Sequence, residues 1–116
     1  MSKFDEAIVK YKKSMEDMGL KSINESALKG VAKSLGPSIY LADASLVSCS
    51  EQSELDRVKN NFLIKKLGLT DSADLDKAIK EVCATMGSSN RTKHRAIFYY
   101  LLAEKNGKLK DYEVKA

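Results

Sequence analysis

Helical periodicity along this chain is interrupted at four glycines, Gly19, Gly68, Gly87 and Gly107, and each interruption falls where an amphipathic stripe runs out. A glycine just beyond such a stripe is a common helix stop, because it adopts the left-handed conformation of a closing turn without a Cβ clash. Nowhere does apolar–polar alternation persist long enough to build a sheet. The punctuation therefore restricts the chain to helices joined by short connections, the arrangement of an antiparallel bundle.

Residues 3–18 place Phe4, Ile8, Tyr11, Met15 and Met18 at steps of four and three, one stripe of a helix that Ser2 caps and Gly19 ends. Asn24 is a suitable amino-terminal cap for a second helix, which aligns Leu28, Val31 and Leu35 and stops at Gly36 and Pro37. Gly30 lies inside it at a cost of about 1 kcal/mol relative to alanine, which leaves two readings open: a close helix contact or simple tolerance. Residues 36–50 are the least regular, and they predict a short helix opened by Pro37, then a loop packed on the core. Ser50 caps a long helix bearing Leu55, Val58 and Phe62, whose stripe broadens into Leu63, Ile64 and Leu67. Asp71 and Asp74 open the next, with Leu75, Ile79, Val82 and Met86 on one face.

Ser88 or Ser89 caps the last helix, which runs to Gly107. Its stretch Ala96–Ala103 is apolar all round, so this helix forms the centre of the bundle. The expected fold is all-α, a compact single-domain bundle of five main helices and one short one over residues 1–107. Residues 108–116 form a polar, frayed tail.

Composition narrows the function classes. With 43% hydrophobic and 31% charged residues the chain reads as an ordinary soluble domain. Its longest apolar run is far below the roughly 20 residues that span a bilayer. The amino terminus carries acids where a secretory signal would need a basic region and a long apolar stretch, so the expected address is the cytoplasm, with no membrane association. Cys49 and Cys83 show no Cys-x-x-Cys pairing and are expected to be reduced thiols. No nucleotide-binding, nucleophile-elbow or metalloprotease motif is present, and no cofactor or metal is expected. The run Asp71, Asp74, Asp76 has the wrong spacing for a calcium loop.

The segments LGPSIYLADASLVS, VKNNFLIKKLGL and SNRTKHRAIFYYLLAEKNGK resemble, in this order and over nearly the whole chain, the domain-of-unknown-function family 2853, small bacterial proteins of about this length. The resemblance implies an all-α domain of a kind that usually makes up the entire protein. It implies no catalytic or binding residue, since the family is uncharacterised.

Three functional hypotheses follow from the residues. The first is a non-enzymatic protein-interaction module, including self-association, with Tyr99 and Tyr100 as anchors, because tyrosines beside apolar neighbours are common at interfaces. The second is a weak phosphate or nucleic-acid binder. Arg91, Lys93, His94 and Arg95 crowd the expected start of the last helix, whose partial positive charge disfavours cations unless an anion is near; Lys105 and Lys108 would assist. Against it stands internal pairing with Asp74, Asp76 and Glu81 of the preceding helix, or plain solvation. A helix-turn-helix over residues 51–86 is rejected because the would-be recognition helix carries a net charge of −2. The third, an enzyme with a site around Tyr40 and Asp43, is the weakest. His94 has no nucleophile or orienting acid beside it in sequence and reads as a lone surface imidazole.

Overall fold

A computed structural model describes residues 3–20, 23–41, 45–87 and 93–113. Five α-helices form the frame: α1 (Lys3–Asp17), α2 (Glu25–Leu35), α3 (Gln52–Val58), α4 (Ala73–Met86) and α5 (Arg95–Lys105). Two 3-10 turns, Gly36–Tyr40 and Leu109–Tyr112, and a π-helical segment, Lys59–Ile64, complete it. The described residues contain no strand, only an isolated antiparallel bridge between Leu46 and His94. The all-α fold expected from the glycine-cut periodicity is the one observed, and the radius of gyration of 13.2 Å is that of one domain of this length.

The centre of the bundle is α5. All eight residues from Ala96 to Ala103 are buried, and α1, α2, α4 and the carboxyl-terminal 3-10 turn pack against the helix. A helix covered on every side loses the polar face that would otherwise face water, which is why its sequence shows no stripe. Around it Ile8, Tyr11 and Met15 point inward from α1, Leu28 and Val31 from α2, and Leu75, Ile79, Val82 and Met86 from α4.

The broadened stripe after Val58 has a local cause. From Lys59 to Ile64 the helix widens to π geometry, with the amide of Lys65 reaching back to the carbonyl of Asn60 and that of Leu67 to Phe62. The wider turn lets Phe62 and Leu63, adjacent in sequence, both face the core.

Asn24 caps α2 as expected: its Oδ1 accepts from the Ala27 amide at 3.1 Å. The same side chain donates to Glu113 at 2.8 Å, and its backbone N–H donates to the Tyr100 hydroxyl at 2.9 Å. These bonds bear on the expected frayed tail. Residues 109–112 instead form a 3-10 turn seated on α2, and a Cβ on Gly30 would stand 1.6 Å from the Tyr112 carbonyl oxygen. Gly30 is therefore there for close approach, and the half-buried Leu109 and Tyr112 explain why a segment of polar composition still docks. Residues 114–116 lie outside the described residues.

Two further expectations are corrected. The last helix begins at Arg95, not at Ser88 or Ser89, which lie outside the described residues. Its start is set by pairing with Ser45–Val47: Lys93 accepts from the Val47 amide at 2.8 Å and the Arg95 amide donates to Ser45 at 2.7 Å, which holds His94 in extended backbone. The cysteines are not two free thiols. Cys49, just before α3, and Cys83, in the last turns of α4, form a disulfide with Cα atoms 6.1 Å apart. Separation in sequence hid a proximity that only the antiparallel packing produces.

Candidate functional site

The chemistry-bearing residues gather at the junction where the segment 45–51 meets the start of α5. Arg95 is the hub. Its guanidinium bonds to the Glu54 carboxylate, to the Leu46 carbonyl at 3.2 Å and to the Tyr99 hydroxyl at 3.2 Å, and it lies 5.7 Å from the Tyr99 ring centroid. Burial works against the Arg95 charge, but the hydrogen bonds it donates to Tyr99 and Glu54 outweigh it and hold its pKa above the ordinary value. Glu54 is only 9% exposed and also faces Arg57 at 3.4 Å. A buried carboxylate is tolerated there because two guanidinium groups share it.

The helix geometry explains Glu54. It precedes Val58 by one helical turn and adjoins Leu55, so it lies on the inward arc of α3. An acid on an apolar stripe was the available signal in the sequence, and periodicity reasoning passed over it. An internal partner of Arg95 is thus Glu54 of α3, an acid outside the α4 set that the sequence pointed to. Tyr99 continues the connection inward by stacking on Phe62 at 4.1 Å between ring centroids, and Phe62 in turn approaches Tyr112 at 6.1 Å.

The remaining members of the basic cluster are distributed as follows. Lys93 and His94 are buried, 7% and 5% exposed. The imidazole is no surface group; it tilts against the Tyr11 ring at 5.1 Å, and burial first and then the Lys10 charge push its pKa below the ordinary value. Lys105 pairs with Glu81 at 2.6 Å across to α4, which lowers the Glu81 pKa. Lys108 is half-buried beyond the end of α5. Arg91 lies outside the described residues. The structure therefore gathers Lys93, His94 and Arg95 at one junction but turns them into the fold, away from Lys105 and Lys108.

Tyr99 and Tyr100 are core residues, 8% and 2% exposed, and cannot serve as surface anchors in the folded chain. Their hydroxyls are engaged with Arg95 and with the Asn24 amide. Among the described residues the large apolar side chains that do face outward are Tyr40 and Leu41, 47% and 58% exposed at the end of the first 3-10 turn, and Val9 on α1. Asp43 lies outside the described residues, so its pairing with Tyr40 has no structural counterpart here.

A second feature is a groove of about 300 Å³ between α3 and α4, lined by Gln52, Leu55, Asp56, Lys59, Asp76, Ile79 and Lys80. Leu55 and Ile79 form an apolar floor. Its rim charges largely neutralise one another: Lys59 lies 3.4 Å from both Asp71 and Asp76, and Gln52 donates to Asp56 at 2.9 Å. Among the described residues no group of three or more His, Cys, Asp or Glu side chains is placed to hold a metal ion, and no helix is long and apolar enough to cross a membrane.

Fold and junction together define a small helical bundle whose segment 45–51 is held by a disulfide and by hydrogen bonds to the start of α5. The chain belongs to the family described as protein of unknown function DUF2853, whose sequence model matches residues 10–110. No curated protein matches it.

Proposed function

We propose that this chain is a non-enzymatic protein-interaction module whose contact surface is centred on Tyr40 and Leu41, with self-association as its simplest form. The observation that carries the reading is the exposure of these two side chains, adjacent on a turn that Pro37 opens and the buried Ile39 fixes to the core. One exposed leucine is ordinary on a soluble protein. The tyrosine beside it is of a residue type enriched among the anchors that dominate interface energetics, and covering the leucine returns about 1.5–3 kcal/mol. Among the described residues of the junction, Arg95, Glu54 and Tyr99 are engaged with one another, which supports a binding role over a catalytic one.

Sedimentation of the folded protein over a range of concentrations tests the proposal. Association that persists at raised salt and disappears in Leu41→Glu is the expected result. A monomer at every concentration excludes self-association through this turn.

The alternative reading, phosphate or nucleic-acid binding, draws less support. It needs Lys93, His94 and Arg95 on one open face, whereas the first two are buried and Arg95 is held by Glu54. Loss of polyanion retention on Arg95→Ala, with the fold intact, would restore it.

A further inference from the structure

We infer that the Cys49–Cys83 disulfide is a reversible redox clasp, whose reduction releases the strap formed by residues 45–51 while leaving the rest of the bundle folded. The inference does not depend on the interaction surface proposed above. Four observations carry it.

The strap is attached from two sides. Cys49 binds it covalently to α4, and its other end is paired with the start of α5 through the Val47 amide, the Ser45 carbonyl and the Leu46 carbonyl. Its apolar anchoring is slight: within 45–51 only Val47 is fully buried, while Leu46 and Cys49 are half-buried. The core is otherwise built from α1, α2, α4, α5 and the α3–π helix, to which the strap adds Val47 as its one fully buried side chain and Cys49 at the edge. Finally, both cysteines are half-buried, neither sealed in the core nor fully open, and exchange with a small dithiol turns on such access.

Segments with few buried apolar contacts are those that open locally below the global unfolding free energy. Here the covalent link supplies much of what holds such a segment. Reduction by a dithiol proceeds by thiolate attack on one sulfur, a mixed disulfide, and closure of the reagent to its cyclic disulfide. Two electrons and two protons pass from the dithiol to Cys49 and Cys83. The oxidised form fits an oxidising compartment, the reduced form the reducing cytosol.

Peptide-resolved hydrogen exchange on the full chain, oxidised and then reduced with dithiothreitol, tests the clasp. The expected result is faster exchange in 45–51 and 93–95, on the order of tenfold or more, with α1, α2 and α4 unchanged and protection restored on reoxidation. A Cys49→Ser, Cys83→Ser variant should exchange like the reduced protein and ignore the dithiol. Unchanged exchange in the strap, or unfolding of the whole bundle on reduction, overturns the inference. So does a folded protein whose two thiols remain titratable after exposure to oxidised glutathione, a measurement that needs no variant.

Discussion

At its amino end α5 is held by directional polar bonds from a segment with little periodicity, whereas the chain beyond its carboxyl end settles on α2 largely by shape. The first region depends on Glu54, Arg95, the Leu46–His94 bridge and a disulfide. The second depends on a missing side chain, at Gly30, and on the half-buried Leu109 and Tyr112. Polar anchoring is specific but vulnerable, because removal of one partner leaves the other buried and unpaired. Steric docking fails in a different way: it tolerates the loss of a bond but not the addition of an atom. The two regions communicate through one aromatic side chain, since Phe62 meets both Tyr99 and Tyr112.

The comparison can be broken first at the ion pair. Glu54→Ala should cost about 3 kcal/mol in urea unfolding, towards the lower end for a buried pair because both side chains retain some exposure. A Glu54→Ala, Arg95→Met double variant should recover part of the loss. A cost below about 1 kcal/mol would class the pair with surface ion pairs and remove the polar half of the contrast.

Next comes the steric half. Gly30→Ala should cost about 2 kcal/mol by forcing Tyr112 away from α2. In a chain truncated after Lys108 the same substitution should become stabilising, by up to about 1 kcal/mol, as alanine replaces glycine in a helix interior. An equal cost in both backgrounds would show that the Tyr112 contact is not the reason for glycine.

Tyr100→Phe sharpens the contrast by removing a polar bond on the α2 side. It removes the hydroxyl that accepts from the Asn24 amide, at an expected cost of about 1 kcal/mol, and should quicken exchange of that amide while leaving the ring packing intact. The smallest effect concerns His94. Its pKa is depressed in the fold relative to the ordinary 6.5, so below that value the unfolded chain binds more protons than the folded one. Stability should therefore fall as pH drops from about 6.5 towards the depressed folded pKa, and His94→Gln should flatten this acid limb. An unaltered limb in that variant would assign it to other groups.

How far the sequence led differs between these same regions. The stripes of α1, α2 and α4 were legible because each helix buries one face, and a buried face imposes a 3.6-residue repeat that can be read from apolar positions alone. The fully apolar run of α5 was legible for a related reason. The Asn24 cap was likewise readable, since capping is local chemistry between a side chain and an amide three residues on. The candidate site was not. His94 looked like a surface imidazole among cations, and Tyr99 and Tyr100 looked like anchors, because nothing in the order of residues shows that α5 is enclosed on its tyrosine-bearing sides. The start of α5 was misplaced at Ser88 or Ser89 for another reason: a serine is a valid cap anywhere, and the pairing of Lys93 and Arg95 with Ser45 and Val47 crosses nearly half the chain.

What the sequence by itself determined about this protein is its class and the buried stripes of its helices, an all-α bundle with α5 at the centre, because helix propensity, capping and periodic burial act over a few residues. Tertiary structure alone decided the union of Cys49 with Cys83, the choice of Glu54 as partner for Arg95, and the approach of Tyr112 to Gly30. Each of these joins residues far apart along the chain, and such contacts depend on how the helices cross, which the pattern of any one helix does not contain.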